Sequence, residues 1–164
     1  MKYSLLELLS GVLITEWTFI FVARGVFGKF INEWYTNFGI WALMSDVSSI
    51  LIGLFIAMYL YRGNSFLILV AVAVAVQWAH DILFYTGVIR QLSPGVNGII
   101  DLLKPYGEDA GFAAILGDSW MMVGSLLFTH LSSKVPVNGQ IFLILVSLYM
   151  LPYAIHQKPS VAIQ

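Results

Sequence analysis

Cysteine is absent from the 164-residue chain and charge is scarce, with 8 Lys and Arg against 9 Asp and Glu, or 10% of residues. Without cysteine there is no disulfide framework, no thiolate metal site and no thiol nucleophile. A soluble domain carries roughly 25% charged residues. A surface this poor in charge would not stay dissolved, so the composition excludes an ordinary water-soluble domain. The formal net charge of -1 excludes the concentrated basic face that nucleic-acid binding requires. No hydrolase triad and no phosphate-cradling glycine-rich loop is present, so the chain reads as a non-enzyme, and nothing in it specifies a cofactor.

Apolar side chains fill the space left by charge. They make up 59% of the chain and raise the mean hydropathy to +0.85. Five apolar stretches approach the ~20 residues that a helix needs to cross the hydrocarbon of a bilayer. They cover residues 4–23, 40–61, 66–89, 112–131 and 140–156, the last being the shortest and carrying Pro152. The runs are continuous, which favours helices over a membrane barrel. The alternating Val and Ala residues of 70–76 look strand-like, but inside so long an apolar run they read as helix. Glu7 and Glu16 interrupt the first stretch, which therefore reads as a retained span and not a signal peptide. The expected fold is an all-α integral membrane protein: a single multi-pass bundle of about five transmembrane helices over residues 1–164, with the lipid bilayer as its partner. The sequence does not specify which membrane.

Five spans place the chain ends on opposite sides. Arg24, Lys29, Arg90, Lys104 and Lys158 then share one face, while Lys2, Arg62 and Lys134 share the other. The positive-inside rule favours the first, basic face as cytoplasmic. Both longer connections lie on that face. One, 25–39, is aromatic-rich, with Phe30, Ile31, Trp34, Tyr35 and Phe38. The other, 92–108, sets Ile99, Ile100, Leu102 and Leu103 among Asp101, Lys104 and Glu108. Each resembles a short amphipathic helix of the headgroup layer, with an ordinary loop as the alternative.

The spans also hold a repeated polar pattern. Gly39-Ile40-Trp41-Ala42-Leu43-Met44-Ser45-Asp46 matches Gly111-Phe112-Ala113-Ala114-Ile115-Leu116-Gly117-Asp118. Phe66-Leu67-Ile68-Leu69-Val70 recurs as Phe142-Leu143-Ile144-Leu145-Val146, and the same offset carries His80 onto His156. A tandem two-helix repeat, roughly 34–85 and 106–157, accounts for both matches. The copies would run parallel, about an axis along the membrane normal.

Depth joins these residues into one layer. At 1.5 Å rise per residue, Glu16, Asp46, His80, Asp81 and Asp118 all fall ~10 Å inside the basic face. His156 lies nearer the boundary, and His130 sits at the opposite end of its span as an interfacial residue. Gln77, His80 and Asp81 share one helix face by their i, i+3, i+4 spacing. Rows of small residues would let the helices approach closely: Ser45, Ser49, Gly53 and Ala57 in the second span, Ala71, Ala75 and Ala79 in the third, Ala113 and Gly117 in the fourth. Such seams also suit a homo-oligomer. The tryptophans Trp17, Trp34, Trp41, Trp78 and Trp120 read as belt or packing residues.

Ionisable groups inside a membrane are costly, so the layer calls for a reason. In one reading it is a proton or small-ion path, with Asp46 and Asp118 flanking the axis and His80 with Asp81 as relay. In a second, the carboxylates hold the bundle together by interhelical hydrogen bonds. In a third, His80, Asp81, Asp46 and Asp118 bind a metal, although the Glu-x-x-His spacing of bundle di-metal sites is missing.

The stretch Tyr35-Thr36-Asn37-Phe38-Gly39-Ile40-Trp41-Ala42-Leu43-Met44-Ser45-Asp46, together with His80-Asp81 and Asp118, resembles small multi-span membrane proteins of large DNA viruses of algae and protists. That resemblance implies a structural alternative: a membrane protein of the virus particle that links capsid to internal lipid. The two amphipathic connections would then be its working surfaces.

Overall fold

The computed structural model describes residues 3–26 and 28–156; the side chains of 23–29, 110, 112 and 113 are outside that description. Lys2 and Lys158, and the side chains of Arg24, Lys29 and Ala113, therefore lie outside the described residues. Seven α-helices follow in order: α1 Leu5–Val26, α2 Gly28–Phe38, α3 Ile40–Leu60, α4 Phe66–Phe84, α5 Gly98–Ala110, α6 Phe112–Ser132 and α7 Val137–His156. A π-helical turn, Tyr85–Ile89, continues α4. No strand occurs among the described residues. Five helices are long and apolar enough to cross a membrane: α1, α3, α4 with its π turn, α6 and α7.

Local sequence explains the helix ends. Ser4 and Glu7 form a reciprocal capping box: Glu7 N–H donates to Ser4 Oγ at 3.3 Å, and Ser4 N–H donates to Glu7 Oε2 at 2.6 Å. Ser65 caps α4 through Ile68 N–H, and Asn97 caps α5 through Ile99 N–H at 2.8 Å. The residues of 70–76 are helical, as expected inside a long apolar run. The last span, expected at 140–156, begins earlier, at Val137. Pro136 directly precedes it, where a missing N–H costs nothing.

Both of the longer connections, expected as short amphipathic helices, are helical. α2 and α5 are joined to α3 and α6 by Gly39 and Gly111, which adopt almost the same backbone conformation: φ 51, ψ -119 and φ 46, ψ -115. These values lie in a region that only glycine enters without strain. Each glycine is followed by a 21-residue helix carrying its aspartate seven positions on, at Asp46 and at Asp118.

The helices that follow pack differently in the two halves. α4 lies along α3 and α6, whereas α7 leaves α6 and lies along α1. Gln140 eases that departure by donating to the carbonyls of Ser132 at 3.1 Å and Val135 at 2.9 Å, just where α6 ends. α1 is consequently the central post, in contact with α2, α3, α6 and α7.

Its closest seam is with α6. A Cβ on Gly11 would sit 2.8 Å from the Ser125 carbonyl oxygen and closer still to the Thr129 backbone; one on Gly124 would sit 2.9 Å from Thr15 Cγ2. The backbones therefore approach as far as glycine allows. Ser10 and Ser132 hydrogen-bond across this seam, and Thr15 Oγ1 donates to the Gly11 carbonyl at 2.9 Å.

The small-residue rows need correction. Gly53 and Ala57 of α3 are buried as expected, but Ser45 is exposed. On α4 the expected seam of Ala71, Ala75 and Ala79 faces outward, and the buried stripe is Leu69, Ala73 and Gln77. Both rows repeat every four residues, so spacing alone could not choose between them; the larger Leu and the polar Gln turn inward.

Candidate functional site

The polar layer lines a cavity of about 250 Å³ between α3, α4 and α6, roofed by α2 and α5. Of the residues predicted for the layer or its support, Asp46, His80, Asp81 and Asp118 reach its wall, as do Gln77, Ser45, Ser49 and Gly117. Gly53 does not: it sits against α6, where a Cβ would lie 3.1 Å from Met122 Cε. Glu16 stands behind the wall, fully buried, and reaches the layer through one side chain.

That side chain is Tyr35 of α2. Its hydroxyl lies 2.7 Å from Glu16 Oε1 and 3.0 Å from Asp46 Oδ2. Trp34 Nε1 donates to the same Asp46 oxygen at 3.0 Å. By its pattern Trp34 reads as a belt or packing residue and Tyr35 as interfacial; in the fold both are donors to the acid layer. Ile31, Trp34, Tyr35 and Phe38 follow i, i+3, i+4, i+7 spacing. That stripe was the available signal that this face of α2 turns into the bundle, and Ile31, Trp34 and Tyr35 are indeed buried.

The second cluster is on α4. Gln77 Nε2 donates to Asp81 Oδ1 at 2.7 Å, and His80 Nδ1 lies 3.1 Å from the same oxygen. His80 is half exposed, with its ring stacked on Phe84 at 5.5 Å. The π turn begins four residues after Asp81. It sets the Tyr85 ring against Gly107 of α5, where a Cβ would come within 3.1 Å of Tyr85 Cζ. Such π turns frequently mark functional segments. From α5, Tyr106 reaches the cavity and packs on Phe30 of α2, with ring centroids 5.2 Å apart.

Among the described side chains, the cavity wall carries three aspartates and no Lys or Arg. Burial pushes the Tyr106 hydroxyl up to about 12, reinforced by the charges of Asp118, Asp46 and Asp81. Burial, then Glu16 and Asp46, likewise pushes Tyr35 well above the usual phenol range. Both phenols therefore stay neutral hydrogen-bond donors at ordinary pH. Two shielded carboxylate oxygens, Glu16 Oε2 and Asp81 Oδ2, have no hydrogen-bond partner among the described residues.

The remaining histidines lie elsewhere. His130 accepts or donates at 3.1 Å to the Tyr3 hydroxyl and packs on Phe66, at the far end of the bundle. His156 abuts Gly39, so it is near the α2–α3 corner and off the cavity wall. For the metal reading, no group of three His, Asp or Glu close enough to hold an ion occurs among the described residues. No protein-family model, characterised protein or solved structure matches the chain.

Proposed function

We propose that the protein spans a bilayer five times and carries a proton or small cation through its carboxylate-lined cavity. One observation carries this reading: a single phenol, Tyr35, bridges two carboxyl groups from different helices. A hydroxyl has one proton to give. It donates to one carboxylate, and the second contact is completed when the other carboxyl holds a proton and donates it to the phenol oxygen. Reversing both bonds moves a proton between Glu16 and Asp46 without moving a heavy atom. Asp118 and the His80–Asp81 pair, on the wall of the same cavity, extend the set of proton or cation positions toward α4 and α6.

The matched Gly39 and Gly111 corners, each seven residues ahead of an aspartate, support an origin of the two halves by duplication. The different seats of α4 and α7 would then be a later divergence.

The test is flux into proteoliposomes driven by an imposed pH or cation gradient. Wild-type protein is expected to carry flux that Asp46→Asn abolishes and Tyr35→Phe reduces. Equal flux from wild type and Asp46→Asn, each shown folded by circular dichroism, overturns the reading. No flux from wild type would return the choice to the structural readings, among them the capsid–lipid link.

A further inference from the structure

The acid-lined cavity has a second space beside it. A groove of about 510 Å³ runs beside it along α3 and α4, and Ser45, Ser49, Gln77 and His80 line both spaces. Beyond these and Ser48, the groove is lined by apolar side chains, among them Trp41, Met44, Ile52, Ile56, Val76 and Ile99. Trp41, Met44, Ile52 and Ile56 are exposed on the outer surface of the bundle. Chamber and groove are thus neighbours that share one wall of hydroxyl, amide and imidazole groups.

The two spaces ask for different ends of one molecule. The chamber has Asp46, Asp81 and Asp118, and among the described side chains its wall has no Lys or Arg, only His80 beside Asp81. Its walls also present the rings of Phe19, Phe30, Trp34, Tyr35, Phe84 and Tyr106. Carboxylates combined with aromatic faces are the surroundings that an ammonium group selects, by charge and by cation–π attraction. Asp81 Oδ2, on the chamber wall, is an acceptor still lacking a donor among the described residues. The groove is mostly apolar, which suits an alkyl chain.

We propose that chamber and groove form one binding site for an amphiphilic amine, with the ammonium group among the carboxylates and the alkyl chain along α3 and α4. The ligand reaches the chamber laterally, between these helices, past Ser45, Ser49 and His80. The inference rests on the membrane reading and goes beyond it by giving the cavity an organic cation as ligand.

The experiment is equilibrium binding of radiolabelled octylammonium to the full chain in a neutral maltoside detergent, with protein-free micelles as the blank. Saturable binding of one amine per chain is expected, with octanol and octanoate failing to compete. Asp118→Asn should weaken it at least about tenfold, the effect of losing one charge-assisted hydrogen bond. Ile52→Trp, which narrows the groove, should weaken octylammonium while leaving ethylammonium unchanged. Binding that octanol displaces equally well, or that Asp118→Asn and Asp81→Asn leave intact in folded protein, overturns the proposal. So does ethylammonium binding as tightly as octylammonium. Proton flux without saturable amine binding overturns this inference alone, whereas amine binding without flux upholds it and overturns the transport reading.

Discussion

Tyr35 and Asp46 belong to different helices, α2 and α3, yet their side chains meet at 3.0 Å because the chain turns sharply at Gly39 between them. The same phenol holds Glu16 on α1 at 2.7 Å. Three helices are thus tied at one oxygen atom. Tyr35→Phe keeps the ring and removes that atom, leaving Glu16 with no remaining hydrogen-bond partner among the described residues. A buried polar group deprived of its partner costs about 1–3 kcal/mol. The melting temperature followed by intrinsic tryptophan fluorescence should fall accordingly. Adding Glu16→Gln to Tyr35→Phe should cost less than the sum of the two, since the pair forms one network.

Gly39 and Gly111 should respond alike to alanine. Both have positive φ with strongly negative ψ, a conformation that a Cβ strains whatever space surrounds it. Each substitution is expected to lower stability by about 1–3 kcal/mol. Thermal unfolding of the two single variants checks this; a large loss at one corner and none at the other would show that the shared geometry does not carry a shared role.

Gly11 and Gly117 should respond in opposite ways. A Cβ on Gly11 collides with the α6 backbone, so Gly11→Ala must push α1 away from α6, at about 1–3 kcal/mol for overpacking. A Cβ on Gly117 meets nothing within 4 Å, because that residue fronts the cavity. Gly117→Ala should leave stability unchanged or raise it by up to about 1 kcal/mol through helix propensity. Unfolding of the two variants in the same detergent gives the comparison directly.

Alkaline titration should reveal the charge of the cavity. Tyr106 ionises at about 12 in the folded chain, above the ordinary phenol value of about 10. A raised folded value means that the native state holds the phenolic proton more tightly. Its contribution to stability is therefore complete below pH ~10 and is lost as pH climbs toward 12. Absorbance at 295 nm should show a late-ionising phenol that Tyr106→Phe removes. Asp118→Asn should bring that phenol to lower pH, because Asp118 is the largest charge acting on it.

Much of this arrangement could be read from the sequence. The apolar runs located the long helices to within a few residues, since length and hydropathy alone define them. Depth along each run placed Asp46, His80, Asp81 and Asp118 at one level, and they do line one cavity. Side-chain direction was harder. Ala71, Ala75 and Ala79 match Leu69, Ala73 and Gln77 in spacing, and nothing local reports which row meets a neighbour. The Gly11–Gly124 seam was invisible because it joins α1 to α6, more than a hundred residues away. Trp34 and Tyr35 looked interfacial, because an amphipathic helix beside a bilayer and one roofing a cavity have the same pattern. The path of α7 to α1 depends on the terminal carbonyls that Gln140 captures, a tertiary detail without a sequence signature.

The central position of α1 sets an order of assembly. Synthesis runs from the N-terminus, so α1 is made first. Its Ser10, Thr15 and Glu16, all completely buried in the finished bundle, face α6, α2 and α3. The partner that covers Ser10 is Ser132, which emerges only after most of the chain has been made. On the membrane reading, Ser10 must therefore rest on its own helix, through the Glu7 carbonyl at 3.0 Å, until α6 arrives. The seam between α1 and α6 closes late, and a chain truncated before α6 would leave the Ser10 side of α1 facing lipid.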